Sequence, residues 1–337
     1  MSSSVTLSTD TKKCSNLKEI CIQDYRLPNG QKKDFYLTYQ VFGQPLHEAP
    51  IILVNHALTG NSEVAGKNGW WKNLVGENQI VDTKKYTIIC FDIPGNGYNK
   101  REDHLITDYQ SLTTQVVGDL FWKGLEHLDI RNLHAVLGSS LGGGIAWEMA
   151  FQNPKAIAHL IPIATNLKAS DWLIGNVLVQ EQILNNSSQP IQDARIHAMH
   201  LYRNPASFQA KFKGEFITEE NLYSVENWLN YHGRALEKRF SLSAYKLMNY
   251  LLKTIGAWIT EEDIINFATT TTSKIHFITV DTDLLFTKDI QFQNFKRIQK
   301  YHKNTFYTEI NSIHGHDAFL IEYEQLNTLL QPIFANL

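Results

Sequence analysis

Apolar residues recur along this chain in two rhythms, and the switch between them predicts most of its elements. Over residues 17–43 they alternate with polar ones, which predicts two antiparallel strands at 20–22 and 35–42 joined by the turn Pro28-Asn29-Gly30. Residues 51–55, 86–92, 133–137, 157–164 and 275–280 are instead apolar with little alternation, the pattern of strands covered on both faces. A last strand is expected at 305–310. Between these runs the spacing becomes helical: Val116, Leu120, Leu125 and Leu128 share one face, as do Ile290, Phe292, Phe295 and Ile298. Residues 144–151 read as a further helix, stopped by Asn153-Pro154, and a final helix runs to about Phe334. Strand and helix alternating at this length predict an α/β fold with a mostly parallel sheet flanked by helices.

The alternation breaks between 166 and 272, where the pattern is helical and rich in aromatics such as Trp172, Tyr202, Trp228 and Tyr245. An all-helical stretch between two strands of such a core is expected to be a lid over the carboxyl ends of the strands. The expected organisation is a disordered polar N-terminus over 1–16, a core formed by 17–165 and 273–337, and a helical lid insertion at 166–272. The aromatics of the insertion are expected to pack the lid rather than stack on a ligand.

Composition narrows the classes of function. The 337 residues are enough for one large core with an insertion, and 31 basic against 34 acidic residues leave no excess of positive charge for nucleic acid. Cys14, Cys21 and Cys90 cannot all pair and none sits in a C-x-x-C, so neither a disulfide framework nor a metal site is expected. The first residues are polar, without the apolar core of a secretory signal, and no apolar run approaches the ~20 residues of a membrane helix. The expectation is a cytoplasmic protein with neither membrane nor nucleic-acid partner.

The chemistry concentrates at Gly138-Ser139-Ser140-Leu141-Gly142, a G-x-S-x-G between an apolar strand and a helix. A strand that turns this sharply needs neighbours without Cβ atoms, and the turn leaves the Ser140 hydroxyl exposed at a helix N-terminus, as in a nucleophile elbow. No Gly-Lys-Ser/Thr follows and the G-x-G-x-x-G spacing is missing, so neither phosphate-binding loop fits. In the α/β-hydrolase fold the elbow is followed, in chain order, by an acid after a late strand and a His after the last one. Asp281 and Asp283 follow one late strand, and His314 and His316 follow the last. Asp283 is favoured because two loop residues let it turn toward a His, and His316 because it follows Gly315 at a loop tip. Ser140 would attack, His316 take its proton and Asp283 orient the imidazole. The backbone N–H groups of Leu58, in the loop after the neighbouring strand, and of Leu141 are the expected oxyanion donors. A plain strand exit is the alternative for that loop, with His56 bonded locally, and Asp92-Ile93-Pro94-Gly95-Asn96-Gly97 reads as a tight structural turn.

Several short segments also carry a resemblance. His56-Ala57-Leu58-Thr59-Gly60, Gly69-Trp70-Trp71 with Val75-Gly76 and Asp82, Ser140-Leu141-Gly142-Gly143, Tyr202-Arg203, Asp283-Leu284-Leu285-Phe286 and Gly315-His316-Asp317-Ala318-Phe319-Leu320 together resemble the homoserine O-acetyltransferase family, over about 50 to 325. The resemblance implies a ping-pong acyltransferase of methionine biosynthesis. It would move acetyl from acetyl-CoA to the hydroxyl of L-homoserine through acyl-Ser140, with acetyl-CoA as co-substrate, no bound cofactor and a homodimer built through the insertion. It also implies substrate-binding roles for Tyr202, for Arg203 on the substrate carboxylate and for Asp317 on its ammonium. Taken alone, Arg203 could equally form an ion pair within the insertion and Asp317 cap a helix. Residues 92–99 depart from the Asn-Val-Leu-Gly-Gly-Cys and Gly-Ser-Thr-Gly-Pro of many members. That bears on the substrate more than on the mechanism and leaves open a succinyl or propionyl donor and a serine acceptor; water as acceptor, in an esterase, is the alternative if the lid does not shield the acyl-enzyme.

Overall fold

The computed structural model describes residues 16–334. Cys14 and the polar terminus expected over 1–16 lie outside it except for Asn16, as do residues 335–337. The strands of the main sheet are β1 (Lys18–Arg26), β2 (Lys32–Gly43), β3 (Ile51–Asn55), β4 (Thr87–Phe91), β5 (Leu133–Ser139), β6 (Ile157–Ile163), β7 (Lys274–Val280) and β8 (Thr305–Ile310). They lie side by side in the order β1-β2-β4-β3-β5-β6-β7-β8. β2 pairs antiparallel with β1 and β4, and every other pairing is parallel.

Burial on both faces explains the apolar runs. Ile52 and Val54 of β3 and Ile88 and Cys90 of β4 face one apolar layer, while Leu53, Ile89 and Phe91 between them face the other. Helices α1 (Thr114–His127) and α2 (Leu141–Gln152), with α9 (Lys288–Gln299), pack on the second layer, and α10 (Tyr323–Phe334) on the first. Helix α1 starts where the Thr113 side chain accepts the Val116 N–H, satisfying one orphan donor of the first turn. Helix α2 starts at Leu141, three residues before the apolar pattern suggested, because three successive glycines (142–144) hide its first turn from a periodicity count.

Between β6 and β7 run six helices: α3 (Asp171–Asn186), α4 (Pro190–Tyr202), α5 (Pro205–Phe212), α6 (Ser224–Glu237), α7 (Leu242–Thr254) and α8 (Glu261–Thr270). The stretch is not wholly helical, since Phe216–Ile217 and Leu222–Tyr223 form a short antiparallel ribbon. Glu148, buried on α2, ties the stretch to the core by accepting from Thr114 Oγ1 (2.8 Å), Gly256 N (2.9 Å) and Trp258 Nε1 (2.6 Å). Three donors compensate a carboxylate whose pKa burial pushes upward.

Candidate active site

Ser140 sits between β5 and α2 at φ 54° and ψ −125°, a region where a residue with a Cβ is strained. The turn closes only because its neighbours are small: a Cβ on Gly138 would lie 2.2 Å from the Gly142 oxygen, and one on Gly142 2.2 Å from the Asn55 oxygen. The Ser140 N–H is held by the Ile163 oxygen at 2.9 Å, which anchors the turn to β6. Strain at a site so firmly held marks a backbone shaped for a purpose other than stability.

The structure brings Ser140, Asp283 and His316 together. His316 Nε2 lies 2.8 Å from Ser140 Oγ, and its Nδ1 lies 2.7 Å from Asp283 Oδ2. Asp283 Oδ1 accepts the N–H groups of Leu285 and Phe286, both at 2.8 Å, so the carboxylate is oriented by backbone on one oxygen and by imidazole on the other. All three residues are at most 4% exposed. A carboxylate fixed in this way keeps the proton on Nδ1, which leaves Nε2 free to accept the hydroxyl proton and stabilises the imidazolium that results. The rings of Phe286, Phe319 and Tyr202 stand 5.4, 5.4 and 5.8 Å from the imidazole and wall it from water.

The other members of the two candidate pairs hold the loops in place. Asp281 Oδ1 accepts the Ser312 N–H at 2.9 Å, joining the loops after β7 and β8. His314 faces the helical stretch, where its Nδ1 meets Ser207 Oγ at 3.0 Å. Gly315 is at φ 65°, and a Cβ there would come within 2.8 Å of the Asn204 nitrogen.

Leu141 is the first residue of α2, so its N–H has no acceptor within the helix. Leu58 lies in the loop after β3, and its N–H has no acceptor among the described residues. That loop rests on a buried polar network of which the sequence pattern gave only the pieces. His56 Nε2 accepts the Ile93 N–H at 3.0 Å, so the ring proton is on Nδ1, 2.7 Å from the Ala57 oxygen. Asp92 accepts from Ser62 N (2.7 Å), Ser62 Oγ (2.9 Å), Thr38 Oγ1 (2.7 Å) and Asn96 Nδ2 (3.1 Å). Burial pushes the pKa of His56 down and that of Asp92 up. The tight turn at Asp92 is therefore also the support of the loop that carries Leu58. An Asp closing a strand beside a His-Ala-Leu loop was the only available signal.

Arg203 and Asp317 meet each other. Arg203 Nε donates to Asp317 Oδ2 at 2.9 Å across the boundary between α4 and the turn Gly315–Leu320, and both side chains are only partly exposed. Asp317 lies inside that turn, where it caps no helix. Tyr202, half-buried, packs beside them, and burial pushes its phenol pKa upward. One residue on from His316 in the chain, then, a carboxylate is paired with a guanidinium, the complements of an amino acid's two charged groups. Among the described residues no group of three or more His, Cys, Asp or Glu could hold a metal ion.

Known proteins resemble this chain in both sequence and shape. A family model of the alpha/beta hydrolase fold matches residues 50–194. The homoserine O-acetyltransferase of Cyclobacterium marinum is 30% identical over 93% of this chain and 93% of its own length. The X-ray structure of homoserine O-acetyltransferase from Bacillus anthracis superposes with a TM-score of 0.83 at 20% identity, covering 95% of this chain and 97% of that one. A solved esterase superposes almost as well, with a TM-score of 0.82 at 16% identity over 94% of this chain and 99% of its own. The fold is that of the α/β hydrolases, and it serves transfer and hydrolysis alike.

Proposed function

The chain belongs to the homoserine O-acetyltransferase family, and on that premise we propose that it moves an acetyl group from acetyl-CoA to the hydroxyl of L-homoserine, a step of methionine biosynthesis, with Ser140, His316 and Asp283 as the catalytic triad. The observation that supports this most is the unbroken line of hydrogen bonds from Ser140 Oγ through His316 to Asp283. Ser140 Oγ attacks the thioester carbonyl as its proton passes to His316 Nε2. The N–H groups of Leu58 and Leu141 hold the resulting oxyanion, and the thiolate of CoA leaves with the proton from His316. The homoserine hydroxyl then gives its proton to His316 and attacks acetyl-Ser140. Collapse of the second oxyanion frees O-acetylhomoserine, and the proton returns to Ser140.

Arg203 takes the carboxylate of homoserine and Asp317 its ammonium. In the free protein the two hold each other, and the substrate enters between them by exchanging their single contact for its own. Tyr202 walls this acceptor pocket. Residues 166–272 act as the lid that keeps water from the acyl-enzyme, which is what separates transfer from hydrolysis. Its helix α3 exposes Ile174, Leu178 and Val179, and a second copy of the chain covers this apolar face in a homodimer. Among the described residues no helix is long and apolar enough to cross a membrane. A cytoplasmic setting belongs to the same proposal.

Incubating the protein with acetyl-CoA and following free CoA with and without L-homoserine tests the reaction. CoA release that accelerates with homoserine and yields O-acetylhomoserine supports transfer. Release indifferent to homoserine makes water the acceptor and the protein an esterase.

A further inference from the structure

A small cavity, about 20 Å³, lies between α3, α4 and α7 on one side and Leu58 and Leu285 on the other. A single water needs about 10–15 Å³ by this measure, so the space suits one water and little more. Two of its lining side chains carry polar atoms without a hydrogen-bond partner among the described residues: the Tyr245 hydroxyl, in a residue 1% exposed, and Gln180 Oε1, in a residue 6% exposed. The Gln180 amide is not free to turn. Its Nε2 donates to the Ala194 oxygen at 3.0 Å and lies 2.9 Å from His197 Nδ1, which leaves Oε1 as the unbonded end. A buried donor and a buried acceptor on the wall of a water-sized space fit one bridging water, accepting from Tyr245 and donating to Gln180.

Two of the cavity's lining residues lead toward Ser140 and His316. Leu58, whose N–H is assigned above to the oxyanion, lines it, and so does Tyr202, whose ring stands 5.8 Å from that of His316. We infer that this cavity receives the far end of the acyl group on Ser140, and that Tyr245 and Gln180 restrict that group to two carbons. The inference rests on Ser140 forming the acyl-enzyme. An acetyl group reaches the mouth of the cavity and leaves the bridging water in place. A propionyl or butyryl chain enters, expels the water and leaves the Tyr245 O–H and Gln180 Oε1 unpaired against methylene groups, which costs roughly 10- to 100-fold in acylation rate.

The p-nitrophenyl esters of acetate, propionate and butyrate read the acylation of Ser140 without CoA or homoserine. The wild-type protein is expected to favour acetate over propionate by about tenfold or more in kcat/KM. Tyr245→Phe removes one polar partner with little change in shape and should narrow that ratio several-fold. Gln180→Met should do the same from the other side of the cavity. Because each ratio is taken within one variant, a loss of total activity cancels, and thermal melts establish that both variants fold. An unchanged ratio in folded Tyr245→Phe and Gln180→Met overturns the inference and leaves homoserine-dependent CoA release untouched. A narrowed ratio in a protein whose CoA release ignores homoserine keeps the acyl pocket and removes the transferase.

Discussion

At the carboxyl edge of the sheet one histidine stands between a carboxylate and a hydroxyl; at the amino edge three histidines stand among rings. His134 of β5 stacks on Tyr86 at 5.4 Å and lies 5.2 Å from His159 of β6, which stacks on His276 of β7 at 5.4 Å, which in turn stacks on Phe306 of β8 at 5.3 Å. His159 Nδ1 and His276 Nε2 are 3.2 Å apart, so at most one of the two carries the shared proton. Burial, then the neighbouring histidine and Lys274, bring both pKa values down to about 4, and burial lowers that of His134. Among the described residues no carboxylate compensates a charge there. His316, more deeply buried, has Asp283 on one nitrogen. Burial alone lowers an imidazole's affinity for a proton, and a fixed anionic partner opposes that loss by stabilising the charged form.

The sharpest way to break this contrast is at the carboxyl edge. Ser140→Ala should lower homoserine-dependent CoA release by about 10⁴-fold or more, and a variant that retains most of its rate would remove the relay from the chemistry. Asp283→Asn keeps the shape but no longer stabilises imidazolium. A loss of about 10³- to 10⁴-fold in kcat is expected, whereas His159→Phe at the amino edge should leave kcat within about twofold. Comparable losses in both would mean that the two edges are not distinct. A smaller effect is expected from Arg203→Ala: the KM for homoserine should rise about tenfold or more with the donor KM nearly constant, and the reverse pattern would take Arg203 out of the acceptor pocket.

The smallest expected effect belongs to the amino edge and appears only in acid. His159 and His276 titrate near 4 in the folded chain and near their ordinary 6.5 when unfolded. The unfolded chain therefore binds more protons between these values. The stability contributed by the neutral ladder is complete above about 6.5 and is lost progressively as pH falls toward about 4. Thermal melts should show Tm falling by a few degrees across that window, with a shallower fall in His159→Phe. A fall of equal steepness in that variant would assign the acid sensitivity to other groups.

Much of the site was legible because an elbow, an acid and a His in that order each follow a strand, and strand ends are visible in the hydrophobic pattern. Choosing Asp283 over Asp281 also followed local logic, since a residue adjoining the strand has little freedom to turn. The Arg203–Asp317 pair was not legible. Each side chain had a plausible role of its own, and nothing local indicates that residues 114 positions apart will touch. The network of His56 and Asp92 was hidden for the same reason, with Thr38 and Ser62 arriving from separate loops and strands. Tyr245 read simply as insertion packing and Gln180 carried no signal, because an unmet hydrogen bond is a property of the surroundings.

By itself the sequence determined the strands of the main sheet, the helical character of the insertion, the position of the elbow and the chain order of the residues after it. These depend on period and on neighbours a few residues away, where backbone geometry leaves few choices. Tertiary structure alone decided which polar groups meet: the carboxylate that orients His316, the guanidinium facing Asp317, the histidines stacked on one another and the Tyr245 hydroxyl turned to a small cavity. A side chain's partner depends on how distant segments cross, and at a buried site the partner, more than the residue type, sets proton affinity and therefore chemistry.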